Sequence, residues 1–460
     1  MSVAANRFSP RESTRPWGRA LAWFVFLVPF FFITYNLANW LAAQRTQVNA
    51  IVFDWERHIP FIAWTIIPYW LIDLFYGLSL LLPRTRNELD AHAKRLLMAQ
   101  IISVAFFILF PLRFTFEQPA TNGVLGWLFA TLNGFDKPFN QAPSLHISLL
   151  VILWSLYARY AKGALHIVLH ALALLIGISV LTTYQHHFID VPTGLLAGGL
   201  CVLVFPLDKT RGIHQGDPIR WRLGAYYLTG GIAIAAISLY FSGAALWLMW
   251  PASALTIVAM IYFCGNPQRF AKNNGHMAPA ALLLLMPYLL GAWLNSRLWT
   301  WRQPVPREII PNLWISRIPS RRDLRQWRPD ALIDCCAELP VKANGLPLYA
   351  VPMLDLLVPE IEQIEQGIAA LDTARAHGKA LIFCALGYSR SALIVVAWLV
   401  KRDYAASINE AIATVQRAHP ALVLSQRHRT RLEEWHAYIF GCAGKPEAAV
   451  PAINLCERSA

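Results

Sequence analysis

Cys384 and Arg390 bracket a short loop, Cys384-Ala385-Leu386-Gly387-Tyr388-Ser389-Arg390. The residues before it, 379–384, read as a buried strand, and the apolar run from Ser391 reads as a helix. A strand, a tight loop and a helix aim successive backbone N–H groups and a helix dipole at one point, where an anion is favoured. Gly387 supplies the tight turn, and the N–H groups of Gly387 and Ser389 are candidate phosphate donors. A thiol at that point faces a helix N-terminus and a guanidinium, and both favour the nucleophilic thiolate. Arg390 can grip two phosphate oxygens at once, and Ser391 can hydrogen-bond the sulfur as it leaves. Such chemistry needs an acid for the departing oxygen. Asp355, on a predicted loop upstream, is the candidate. Cys335 and Cys336, beside Asp334, lie on or just after a predicted core strand.

A second constellation lies in the apolar half. Pro143-Ser144-Leu145-His146 opens one hydrophobic run, and His186-His187-Phe188-Ile189-Asp190 opens another. Pro-Ser before a helix gives an N-terminus that favours an anion. A His four residues before an Asp on one helix face has one ring nitrogen available to a carboxylate, which fixes the tautomer and raises nucleophilicity at the other. His187 is one step off that face and reads as structural, as do His166 and His170 in mid-run.

These residues resemble two families. The Ser144 and His186 motifs resemble the type 2 phosphatidic acid phosphatase (PAP2) superfamily over about residues 20–207, with a six-helix core. The doubled His is similar to the inositol-phosphorylceramide synthases of that superfamily. The resemblance implies that His186 is a phosphohistidine nucleophile, Asp190 its orienting partner, His146 the proton donor to the leaving group and Ser144 a phosphate ligand. The superfamily's first cationic motif is not intact, since Gln118 precedes Pro119, and Val180 stands where a third-motif Arg belongs. Arg113 is the substitute phosphate ligand. Over about residues 308–440 the chain resembles the dual-specificity branch of protein tyrosine phosphatases, and within it the mitochondrial phosphatidylglycerophosphate phosphatases. The segment Asn312 to Pro319, the Asp355 segment, the Cys384 loop and the trailing amphipathic helices all align. That family has His before its nucleophile, where this chain has Phe383.

The elements that must position these groups follow from composition. Of 460 residues, 56% are hydrophobic and 15% charged, with 18 Trp. Ordinary soluble proteins carry about 25% charged residues. The deficit is confined to residues 20–300, where nine runs approach the roughly 20 residues a span requires: 20–43, 60–83, 96–115, 144–160, 163–184, 190–207, 223–242, 243–264 and 278–296. Arg7, Arg11, Arg15 and Arg19 precede the first, and the loops 84–95, 159–162, 209–222 and 269–272 are basic, as cytoplasmic loops are. The net charge of +13 is thus explained without nucleic acid. Seven Cys without framework spacing exclude a disulfide scaffold, and no cofactor or metal is expected.

The expected architecture is a polytopic α-helical membrane bundle of about nine spans with a PAP2-like core, followed by an α/β dual-specificity phosphatase domain. Its divisions are 1–207, the PAP2-like domain; 208–304, additional helices and linker; 305–445, the phosphatase-like domain; and 446–460, a tail. The two resemblances together imply a phosphatase of phospholipid phosphates in a bacterial inner membrane, with the lipid bilayer and a lipid phosphate as partners. Headgroup transfer, or a membrane-tethered protein phosphatase, are the alternatives. With the N-terminus inside, His146 and His186 face the periplasm. Nine spans would put the C-terminal domain there too.

Overall fold

The computed structural model describes residues 15–207 and 212–441. Arg7, Arg11, Lys209 and the tail 446–460 lie outside the described residues. The chain forms two compact units. One holds the residues up to 210 with 241–246 and 279–284, and the other holds 211–240, 247–278 and 285 onward.

The first unit is helical: α1 (Trp17–Ala43), α2 (Ile66–Ser79), α3 (Arg86–Leu109), α4 (Gly123–Phe135), α5 (Leu145–Tyr160), α6 (Ala164–Thr182) and α7 (Asp190–Val204). Small residues set its tightest contact. A Cβ on Gly194 of α7 would lie 2.7 Å from the Ser144 carbonyl oxygen, and one on Gly198 would lie 2.6 Å from that of Ser148. Ser148 Oγ donates to the Gly194 carbonyl at 3.1 Å. Glycines four residues apart let two helix backbones approach closely, and here they bring the start of α5 beside the start of α7.

Three further helices follow: α8 (Ile219–Phe241), α9 (Met249–Cys264) and α10 (Pro279–Trp299). Between α9 and α10 lies a hairpin of β1 (Lys272–Asn273) and β2 (His276–Met277). Among the described residues, six helical segments are long and apolar enough to cross a membrane: α1, α3, α6, α8, residues 243–264 and α10. The expected run 60–83 is instead a 14-residue helix, α2, entered through a 3₁₀ turn at Ala63–Thr65. Helix α4, in a stretch outside the nine expected runs, adds 13 residues, most of them apolar.

The C-terminal domain is α/β. Its strands are β3 (Arg307–Ile310), β4 (Leu313–Arg317), β5 (Ala331–Cys336), β6 (Leu348–Met353) and β7 (Ala380–Cys384), in the sheet order β3-β4-β7-β5-β6. In this sheet β3 and β4 pair antiparallel, and the other neighbours pair parallel. Its helices are α11 (Arg321–Trp327), α12 (Ile361–Arg375), α13 (Arg390–Lys401), α14 (Ile408–Ala418) and α15 (Gln426–Phe440). Every residue of β5, β7 and α13 except Lys401 is buried, as expected of central parallel strands covered by helices. The loop between β7 and α13 therefore sits at the carboxyl edge of the sheet, where α/β folds place their ligands.

Candidate active sites

Central β7 delivers Cys384 to the sheet edge, and α13 starts at Arg390. Gly387 N–H donates to Cys384 Sγ at 3.2 Å, and Ser391 Oγ donates to it at 3.5 Å. Gly387 has φ +82°, and a Cβ there would meet the Ser316 carbonyl at 2.6 Å. Only glycine satisfies both the left-handed backbone and that approach. β4 pairs beside β7 with Arg317 opposite Cys384, which puts Ser316 against the loop.

Arg390 is 2% exposed. Its Nη1 and Nη2 donate to Glu338 Oε2 and Oε1 at 2.9 and 2.8 Å, and Nη1 also donates to the Met353 carbonyl at 2.8 Å. Nη2 lies 2.9 Å from Asp355 Oδ1. Nε is buried with no partner among the described residues, a donor left for a phosphate oxygen. Burial alone would raise the Glu338 carboxyl, but the Arg390 guanidinium overrides it and holds the group below its ordinary value. Glu338 lies two residues beyond the end of β5, and its position after a buried parallel strand is the signal that sequence reading overlooked.

The Asp355 side chain keeps 39% of its surface exposed. Desolvation raises its carboxyl, against the opposing pull of Arg390. Together the groups can drive displacement at phosphorus: a thiolate in a nest of N–H groups, a clamped guanidinium and an acid at its edge.

Residues 324–437 match the family model for the dual specificity phosphatase catalytic domain. The C-terminal domain is thus a phosphatase, acting on phosphoric monoesters. Among solved structures the chain is similar to Tk-PTP in its active form, with 28% identity over 29% of this chain and 97% of that one, at TM-score 0.27. PTPMT1 in complex with PI(5)P is 19% identical over 30% of this chain and 98% of that one, at TM-score 0.28. Human DUSP28 is 21% identical over 30% and 99%, at TM-score 0.28.

Residues outside the phosphatase domain hold its acid loop. Gln215 Oε1 accepts from Leu354 N–H at 2.7 Å, and Gln215 Nε2 donates to the Val358 carbonyl at 3.4 Å. Asp217 Oδ2 accepts from Val358 N–H at 3.0 Å and pairs with Arg427. The Tyr262 hydroxyl of α9 donates to the Asp355 carbonyl at 3.1 Å. Tyr227 of α8 packs at a tilt against Tyr262 and edge-on against Tyr288 of α10, with ring centroids 5.3 and 5.9 Å away. None of these residues carries a recognisable motif. Ser389, expected at the phosphate, has its hydroxyl on His428 Nε2 at 3.1 Å, which leaves its backbone N–H for that role. His419 Nε2 meets the Gly387 carbonyl at 3.2 Å. Burial lowers both histidines, so they brace the loop as neutral rings. The Cys335 and Cys336 thiols are pushed well up by burial, which suits packing groups.

In the first unit, Ser144 caps α5 by accepting from Ile147 N–H. Its hydroxyl lies 3.1 Å from His186 Nε2, and His186 Nδ1 lies 3.1 Å from Asp190 Oδ2. That carboxylate also accepts from His187 N–H. His146 stacks on Tyr69 at 4.1 Å, and its Nε2 is buried without a partner among the described residues. Both nitrogens of His187 are occupied, Nδ1 by Glu56 and Nε2 by Thr115, which fits a structural residue. His170 bonds Trp154 and His166. Arg113, the expected phosphate ligand, stands apart from these groups: it is exposed, its backbone N–H donates to the Asn49 carbonyl at 2.9 Å, and it lines neither of the two cavities that His186 lines. Sequence spacing located a cation near the motif but could not reveal that this strand-like stretch turns it outward. The cation that does line a cavity with His186 is Lys137.

Proposed function

We propose that the chain is a membrane-embedded phosphatase of lipid phosphomonoesters. Cys384 attacks phosphorus, the S–P bond forms, and Asp355 gives its proton to the departing lipid oxygen. Water then attacks the thiophosphate with Asp355 as base, and inorganic phosphate leaves. Arg390 holds a phosphate oxygen through its free Nε throughout, with its Nη groups kept on Glu338, Met353 and Asp355. The observation that carries the lipid reading is the bond from Tyr262, on an apolar helix of spanning character, to the main chain of the catalytic acid itself. The same loop presents Leu356, 63% exposed and at φ +61°, an apolar residue held in a strained backbone beside the acid.

The same contacts support a reading of the side. Gln215 and Asp217 belong to the basic segment 209–222, which charge assigns to the cytoplasm. Their bonds to the acid loop favour a cytoplasmic phosphatase domain and argue against the periplasmic placement that span counting favours.

The test is the purified full chain in lipid vesicles, assayed on phosphatidic acid, phosphatidylglycerophosphate and phosphotyrosine peptides, with Cys384→Ser in parallel. Release of phosphate from a lipid, lost in the variant, supports the reading. Turnover of peptides without any lipid would make the chain a tethered protein phosphatase.

A second, PAP2-like site is favoured by the hydrogen-bonded series Ser144–His186–Asp190. Here His186 Nε2 attacks phosphorus of a phosphate-ester lipid, and His146 protonates the leaving alcohol. A lipid-directed activity that survives Cys384→Ser and disappears with His186→Ala supports it. Its absence on every lipid phosphate and diester tested would remove it.

A further inference from the structure

In a nest of N–H groups, each planar peptide that turns its N–H toward the anion turns its carbonyl away. The carbonyls behind such a loop need donors of their own once they are buried. Around the Cys384 loop those donors come from two directions. His419 Nε2 lies 3.2 Å from the Gly387 carbonyl, and Val423 N–H donates to the Tyr388 carbonyl at 2.9 Å. Both belong to the segment between α14 and α15. The donor to the Ala385 carbonyl comes from elsewhere in the chain.

Ser296, in the last turn of α10, is fully buried, and its Oγ donates to the Ala385 carbonyl at 2.6 Å. Ile318 N–H adds only a long bond to the same oxygen, at 3.4 Å. A serine within a helix ordinarily returns its hydroxyl to the carbonyl one turn back, as Ser253 of α9 does toward Met249. Ser296 directs its proton into the catalytic loop instead. Contacts on either side repeat the attachment. The Tyr388 hydroxyl donates to the Trp299 carbonyl at 3.1 Å, and Arg297 Nη2 donates to the Ile318 carbonyl at 3.0 Å. A helix long and apolar enough to cross a membrane therefore ends against the residue that follows the nucleophile.

The Ala385 carbonyl and the Leu386 N–H belong to one peptide, so fixing the first fixes the second. With the carbonyl drawn to Ser296, the Leu386 N–H faces the nest, next to the Gly387 N–H that donates to Cys384 Sγ. We propose that Ser296 is a positioning residue of the phosphatase site: through the Ala385 carbonyl it sets the Leu386 N–H toward the phosphate that Cys384 attacks. The proposal rests on the reading of Cys384 and Arg390 as the phosphate site, and not on which phosphate ester is the substrate. Tyr262 of α9 already holds the acid. The acid and the phosphate nest are thus each held by a different helix of spanning character, and α10 serves the reaction as well as the anchoring.

The experiment is vanadate protection of Cys384 against iodoacetamide, with the full chain in vesicles. It is read at the Cys384 peptide by mass spectrometry, so that the other cysteines do not contribute. Ser296→Ala should weaken the affinity for vanadate by about tenfold, since one donor to the oxyanion is no longer held in place. Ser296→Cys, close in volume and a weaker donor, should show a smaller loss. Should Ser296→Ala not fold, Ser296→Cys decides: a loss supports the proposal and unchanged protection overturns it. Thr300→Ala removes a buried hydroxyl one turn on, which donates to the Ser296 carbonyl at 2.6 Å, and should leave protection unchanged. Equal protection in Ser296→Ala and the unaltered chain overturns the proposal. So does an equal loss in Thr300→Ala, which would make the effect one of general packing. Absence of protection in the unaltered chain would overturn the reading of Cys384 as the phosphate site as well.

Discussion

Gln215 is the sharpest test of how the phosphatase acid is positioned. It makes two hydrogen bonds to the Asp355 loop, one short at 2.7 Å and one long at 3.4 Å. The long bond contributes little. Replacing Gln215 by Ala removes the short bond, about 1 kcal/mol net, and strands the Leu354 N–H, which adds about 1 kcal/mol or more. A displacement energy of about 2 kcal/mol at the acid corresponds to roughly a thirtyfold loss in rate. That loss should appear only where the acid matters. The alkoxide of an alkyl phosphate leaves as a strong base and needs the Asp355 proton, whereas the phenoxide of an aryl phosphate with an acidic phenol does not. Gln215→Ala should therefore lower kcat/KM on alkyl phosphates by roughly thirtyfold and on activated aryl phosphates by less than about threefold. The assay is paired kinetics in one vesicle preparation, with Asp355→Asn as the reference pattern. An equal fall on both substrates would mean that Gln215 supports the fold in general. No fall on either would mean that the loop holds its place without it.

Cys384→Ser should remove all but about a tenth or less of aryl phosphatase activity, read by phenol release, because the thiolate is the attacking group. Desolvation keeps Asp355 protonated to a higher pH than an ordinary aspartic acid, near 3.9. Alkyl-phosphate turnover should fall as pH rises through that raised value, and Asp355→Asn should abolish this limb in a pH–rate profile. The Glu338 carboxyl is held low, so its pairing with Arg390 stabilises the fold above the ordinary Glu value of about 4.3 and is lost as pH falls through the lower, folded value. Glu338→Ala should lower stability by about 3–5 kcal/mol near neutral pH, since it leaves Arg390 without its bidentate partner, and by less in strong acid, as read by thermal unfolding. A fluorescent protein fused after residue 460 should fold and fluoresce in the cytoplasm. Activity of an alkaline phosphatase fused there would put the domain in the periplasm.

The sequence makes the catalytic loop legible because its elements are local: a buried strand, a glycine turn and a helix within about two dozen residues of one another. Helices α14 and α15 are legible for the same reason, since their amphipathic periodicity needs no partner to be read. What escapes is every contact made across long separations. Glu338 reaches Arg390 over 52 residues, and Gln215 reaches Leu354 over 139. Neither distance leaves a mark on local composition. In the helical unit, Ser144 is readable because it caps α5 and Asp190 because it opens α7, whereas His186 lies in the turn before α7 and not, as the spacing suggests, on one helix face with Asp190. The direction of Arg113 depends on how a loop folds back. Apolar run length overestimates α2, where Pro60 and a 3₁₀ turn shorten the helix, and it misses α4, whose 13 residues fall below any span criterion.

The hairpin between α9 and α10 bears on how this enzyme can be handled. Lys272 reaches Asp334 at 2.6 Å and the Cys336 carbonyl at 2.6 Å, and the Gly275 carbonyl accepts from Val341 N–H at 2.9 Å. A clone trimmed to the family boundaries would start after these partners. It would expose a buried carboxylate in β5 without its cation, together with the unanchored acid loop. The excised fragment would be a different and less stable molecule, and inactivity in it would say nothing about the parent. Homology marks where the catalytic residues lie, but the smallest piece of gene worth expressing begins before Gln215.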